Sequence, residues 1–147
     1  MNWWQIVFGG GVVTDMVIPI YLQYKMAKEA ENQQRIAESQ KQEEFAKLLS
    51  LANCFHNQGK FPLAIQYYNY AETLYGKTSE QRAYALCGLG WSYHCYGQYD
   101  YAILYYIEAA AIFQLYLGYW IVIERINGNI AAIQQMQCVQ IPAQIVA

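Results

Sequence analysis

Two stretches of this chain obey one spacing rule, and that repetition restricts its fold more than any other feature. The first runs Leu48, Leu51, Ala52, Phe55, Gly59, Ala64, Tyr68, Ala71. The second runs Leu86, Leu89, Gly90, Tyr93, Gly97, Ala102, Tyr106, Ala109, and every interval of the first recurs. The strings GKFPLAIQYY and GQYDYAILYY at the two turns are near copies. Self-similarity at a period of roughly 20–50 residues signals stacked supersecondary units rather than one irregular core. Here the offset is 38 residues, from Leu48 to Leu86.

The spacing has a direct physical reading. Leu48, Leu51 and Phe55, like Leu86, Leu89 and Tyr93, recur at three and four residues and form one apolar stripe along a helix. Gly59 and Gly97 then fall where a helix end takes a left-handed residue at least cost. Pro62 sits in the first turn of the helix that follows, where its missing N–H breaks no hydrogen bond. Ala52, Gly90, Ala64 and Ala102 are small where two helices must cross closely. Each unit is therefore a helix, a tight turn and a second antiparallel helix. Between the units, Thr78 or Ser79 is placed to cap a helix that begins near Glu80.

These eight positions, filled twice across residues 45–114, resemble the tetratricopeptide-repeat (TPR) family. The resemblance implies an all-α fold of two clear helix-turn-helix repeats and one degenerate cap. The family period is about 34 residues, and the surplus here lies in the linker Gly76–Glu80. The cap is read as an apolar helix over 115–126, a turn at Asn127-Gly128-Asn129 and a short helix over Ile130–Val139, with Leu117-Gly118 and Ala132 echoing the motif.

The resemblance also implies a groove lined by the first helix of each repeat. Its positions are Ala46, Leu49, Asn53, His56 and Asn57, then Tyr84, Cys87, Trp91, His94 and Cys95. Some members grip a terminal carboxylate with Lys and Arg there; only Asn53 fits that pattern, and Leu49 and Cys87 stand where a basic residue would be. The groove is neutral and aromatic, suited to an apolar or amidic protein segment, with Trp91 and Tyr84 as its anchors.

Charge narrows the function classes. The net charge is −2 with no basic cluster, which excludes a phosphate-reading nucleic-acid binder. Charged residues make up 14% of the chain, against about a quarter in an average soluble domain. Residues 25–47 hold half of them, while residues 83–147 hold only Asp100, Glu108, Glu124 and Arg125. Thirteen of the 15 tyrosines lie between Tyr67 and Tyr119. Aromatic, charge-poor surface is the composition of an interface centre.

Four cysteines occur (Cys54, Cys87, Cys95, Cys138), with no CxxC pair and no secretory cleavage pattern, so they read as reduced small hydrophobes. His56 and His94 share one repeat position near Cys87 and Cys95; a metal module is the least favoured reading, and no metal or other cofactor is expected. Gly9-Gly10-Gly11 lacks the Lys-Ser/Thr of a phosphate loop. No paired carboxylates or activated nucleophile appears, and no enzymatic role is expected.

The segments read as a hydrophobic anchor or docking segment (1–24), a charged helical spacer (25–47), the TPR-like domain (48–138) and a flexible tail (139–147). Trp3, Trp4 and Tyr21 resemble an aromatic belt around an apolar run, but Asp15 lies near its centre at a cost of about 3 kcal/mol on insertion scales. Two functions follow. One is an anchored scaffold or assembly subunit that binds partner proteins, like small anchored TPR proteins, with its repeats on the cytoplasmic side. The other is a permanent subunit or homo-oligomer, with its N-terminus and Tyr-rich half buried between chains and no membrane involved.

Overall fold

The computed structural model describes the backbone of residues 12–116 and 118–146 and the side chains of residues 16–116 and 118–138. Among the described residues the protein is all-α. Helices α1 (Val12–Asn57), α2 (Phe61–Thr73), α3 (Glu80–Tyr96), α4 (Tyr99–Phe113) and α5 (Trp120–Val146) follow one another without a strand. Two compact units divide the chain, residues 1–42 and residues 43–147.

The first unit is described from Val12 onward as part of α1. No Gly or Pro interrupts residues 20–57, and the strong helix formers Ala, Glu, Gln and Lys dominate the charged stretch. The spacer and the first repeat helix, read from the sequence as separate segments, are accordingly one helix. Met16, Ile18, Ile20, Tyr21, Leu22 and Tyr24 are all exposed. No helix among the described residues is long and apolar enough to cross a membrane. Trp3 and Trp4 lie outside the described residues, as does the side chain of Asp15.

The second unit begins with the end of α1, and its two turns are copies in geometry as well as in sequence. Gly59 has φ +74° and Gly97 φ +83°. At the first turn Lys60 N–H donates to Phe55 C=O (2.9 Å), and at the second Gln98 N–H donates to Tyr93 C=O (2.9 Å). Each bond closes a helix end around a left-handed glycine. Pro62 occupies the first turn of α2. Ser79 caps α3, accepting from Arg82 N–H at 3.3 Å.

The core runs through both repeats: Ala52, Ala64, Tyr68, Leu86, Leu89, Ala102, Tyr106, Ala109 and Phe113 are buried, joined by Ile126 and Ile133 of α5. Helix α3 lies at its centre between two tyrosine rings. A Cβ on Gly88 would meet the Tyr68 ring at 2.2 Å, and one on Gly90 the Tyr106 ring at 2.7 Å. Two residues apart on a helix means nearly opposite sides. One glycine pair thus lets aromatic rings press on α3 from both flanks.

Arg82, near the start of α3, ties this arrangement together. Its Nε lies 3.0 Å from Glu72 Oε2 at the end of α2, and its Nη2 donates to Glu108 Oε1 of α4 at 2.7 Å. Nη1 donates to Lys77 C=O at 3.1 Å. Three elements therefore meet at one mostly buried guanidinium.

The C-terminal cap departs from the sequence expectation. Asn127-Gly128-Asn129 is no turn: α5 passes through it, and on through Pro142 to Val146, beyond the point where the sequence reads a flexible tail. Continuity keeps Ile126 and Ile133, seven residues apart, on one face in the core. A helical Gly costs about 1 kcal/mol, less than the burial of either isoleucine returns. Asn129 also gains a partner, its Nδ2 donating to Tyr106 OH at 3.4 Å. Among the described residues the third unit is a single helix, α5.

Candidate functional site

The groove positions fall on the C-terminal end of α1 and along α3, and they are brought together most closely around His56. This residue lies in the last turn of α1, next to the turn at Gly59 that sends the chain back as α2. Phe61, at the start of α2, meets its ring edge-on with centroids 5.2 Å apart. Trp91 of α3 stacks on the same ring at 3.5 Å and 27°. His56 Nδ1 and Ser92 Oγ share a hydrogen bond of 3.0 Å, and Ser92 is fully buried. Only 6% of His56 is accessible, so it is a joint between helices and not an open groove residue. Burial holds its pKa below the ordinary imidazole value.

His94, at the same position of the second repeat, has different neighbours. It meets Tyr99 edge-on at 6.0 Å and Tyr106 at 6.4 Å, and it is partly exposed. Burial lowers its pKa as well. The two histidines do not form a shared site with Cys87 and Cys95: among the described residues no group of three His, Cys, Asp or Glu side chains could hold a metal. Cys87 is partly buried, and that burial pushes its thiol up to about 12, so it carries almost no thiolate at neutral pH. Cys95 is exposed.

Of the remaining positions, Leu49 packs against the core and Asn57 is exposed. Asn53 Oδ1 accepts from Tyr68 OH, which ties α1 to α2. Burial raises the Tyr68 phenol to about 12, so it stays protonated as the donor. Trp91 and Tyr84, the aromatic rings among the groove positions besides the histidines, are each 43% accessible and lie seven residues apart on one face of α3. Tyr84 is held edge-on by Phe113 at 5.2 Å and by Tyr119 at 6.2 Å. Tyr119 OH in turn donates to Glu80. Each exposed ring is thus fixed from beneath by another.

Residues 43–114 match the family model for the tetratricopeptide repeat. They belong to the TPR family. The matched segment covers both helix pairs, and as a TPR domain it is a protein–protein interaction scaffold. No curated protein and no solved structure matches the chain.

Sequence reasoning overlooked Ser92, Phe61 and Gly88, which complete the TPR packing around His56 and Tyr68. For Gly88 a signal existed. Two glycines spaced by two inside a helical pattern cost helix propensity and call for a packing reason on both sides. Ser92 and Phe61 carried no comparable mark, because their role depends on which helices meet.

Proposed function

We propose that this TPR domain holds a neutral, largely apolar segment of a partner protein along the face of α1 and α3, with Trp91 and Tyr84 as the anchoring side chains. One observation carries the reading: both rings are open to solvent, yet each is already held in one orientation, Trp91 by His56 and Tyr84 by Phe113 and Tyr119. Rings ordered before binding lose little conformational freedom when a partner covers them. The groove positions carry no Lys, Arg, Asp or Glu, so the segment is chosen by shape and by hydrogen bonding to Asn57 rather than by charge. The exposed apolar run from Met16 to Tyr24 serves as a second attachment to the same protein assembly.

The test is quantitative affinity capture from cells with the tagged full chain, comparing wild type with Trp91→Ala. Removing an aromatic anchor of this kind costs about 2 kcal/mol of binding, roughly a thirtyfold loss of affinity. Retention of every partner at wild-type levels, with the variant shown to be folded, would sink the groove reading.

A further inference from the structure

The His56 cluster is more than a packing detail. Here the two repeats touch through an imidazole, and three elements converge on it: α1 supplies the ring, α2 supplies Phe61, and α3 supplies Trp91 and Ser92. The neutral ring fits this setting well. It offers one flat face to the indole at 3.5 Å, and it shares a proton with a hydroxyl that has been withdrawn from water.

We propose that His56 is an acid-sensitive latch on the joint between the repeats: neutral, it holds Trp91 and Ser92 of α3 against α1, and protonated, it loosens them. The surroundings decide the direction. Within a helical turn of the contact residues, the titratable groups are Cys54 on α1, Lys60 in the α1–α2 turn, and Cys87, Tyr93, His94, Cys95 and Tyr96 on α3. Not one carboxylate is among them. Two features favour the cation, the C-terminal end of α1 and the indole face of Trp91. Opposing both is burial in a site whose only nearby formal charge on α1 or α2 is the like-charged Lys60, and burial depresses the pKa. In the unfolded chain the imidazole titrates near its ordinary value of about 6.5. As pH falls through that value the unfolded state takes up a proton that the closed joint refuses. Stability contributed by the joint is therefore complete above about pH 6.5 and is lost progressively below it.

The latch follows from the stack itself, whereas any effect on partner capture rests on the groove reading above. Thermal unfolding of the full chain between pH 7.5 and pH 5.5 tests it, comparing wild type with His56→Asn, whose amide can still meet Ser92 but cannot charge. The wild-type midpoint should fall further than that of the variant over this range, by at most about 4 °C. Equal falls in both proteins overturn the latch. Should His56→Asn fail to fold, NMR titration of the wild-type imidazoles decides instead. His56 should titrate below about 6.5, with the Trp91 indole signal moving in step. A midpoint at or above that value, or an indole signal indifferent to it, overturns the proposal. Capture lost in Trp91→Ala alongside equal pH dependence would reject the latch and keep the groove; the reverse pattern would reject the groove and keep the latch.

Discussion

His56 and His94 hold the same place in two repeats whose spacing is identical, and they end in different surroundings. His56 is 6% accessible, stacked on Trp91 and bonded to Ser92; His94 is partly exposed, with two tyrosine edges for company. Intra-repeat contacts are duplicated faithfully. Phe55 stacks on Tyr67 at 5.3 Å and Tyr93 on Tyr105 at 5.4 Å, and each histidine meets the aromatic residue five positions on. What differs is the element that follows. The first repeat is covered by α3, with Trp91 and Ser92; the second is covered by α5, which has no paired helix among the described residues. A repeat therefore determines its own interior, while its neighbour determines which of its polar residues are buried.

The sharpest way to break this comparison is to stop α3 from being pressed on both sides. Gly88→Ala drives a methyl into the Tyr68 ring, which is 2% accessible and cannot withdraw. Overpacking of that kind outweighs the helix propensity gained and should cost about 2 kcal/mol in chemical unfolding. Gly90→Ala, against Tyr106 at a longer 2.7 Å, should cost less. Equal stability of Gly88→Ala and wild type would show that the first repeat does not press on α3 as described.

A middle-sized effect is expected at Arg82, which links α2 and α4 to α3. Arg82→Met leaves Glu72 and Glu108 near each other without their cation, and should lower stability by about 1 kcal/mol. Glu108→Gln should do much less, since Glu108 is nearly half exposed and a screened pair contributes little. If the two variants unfold at the same denaturant concentration, the junction is only a pair of surface contacts.

The smallest effect has the opposite sign. A Cβ on Gly128 meets nothing within 4 Å, and its backbone lies in a helix without positive φ. Gly128→Ala should therefore stabilise the protein by roughly 0.5–1 kcal/mol. A loss of stability would restore the turn that the Asn-Gly-Asn string suggests. Together the glycines at 59, 88, 97 and 128 separate three uses of one residue: closing a helix, admitting a ring, and neither.

Much of the repeat unit was legible in the residues. Leu48 to Ala71 and Leu86 to Ala109 specify helix, left-handed glycine and return helix by local chemistry, and the cap at Ser79 was readable for the same reason. The candidate site was less so. Position numbers place Asn53, His56 and Trp91 on two helices, but they do not say that His56 would lie beneath Trp91 instead of beside it. The Asn-Gly-Asn turn failed because local propensity is weak beside the burial of Ile126 and Ile133. Spacer and first repeat share one helix because no breaker residue separates them, and the compact units divide within that helix, between residues 42 and 43.

Sequence by itself determined the all-α repeat architecture, the two glycine turns and the low charge of the surface that would meet a partner. Those are properties of spacing and composition, and each acts within a helical turn or two. Only the tertiary structure decided that His56 is buried while His94 is not, that Gly88 admits Tyr68, and that α5 runs unbroken. Each of these depends on a surface supplied by a distant part of the chain, where apolar burial and ring packing outweigh the preference of any single residue.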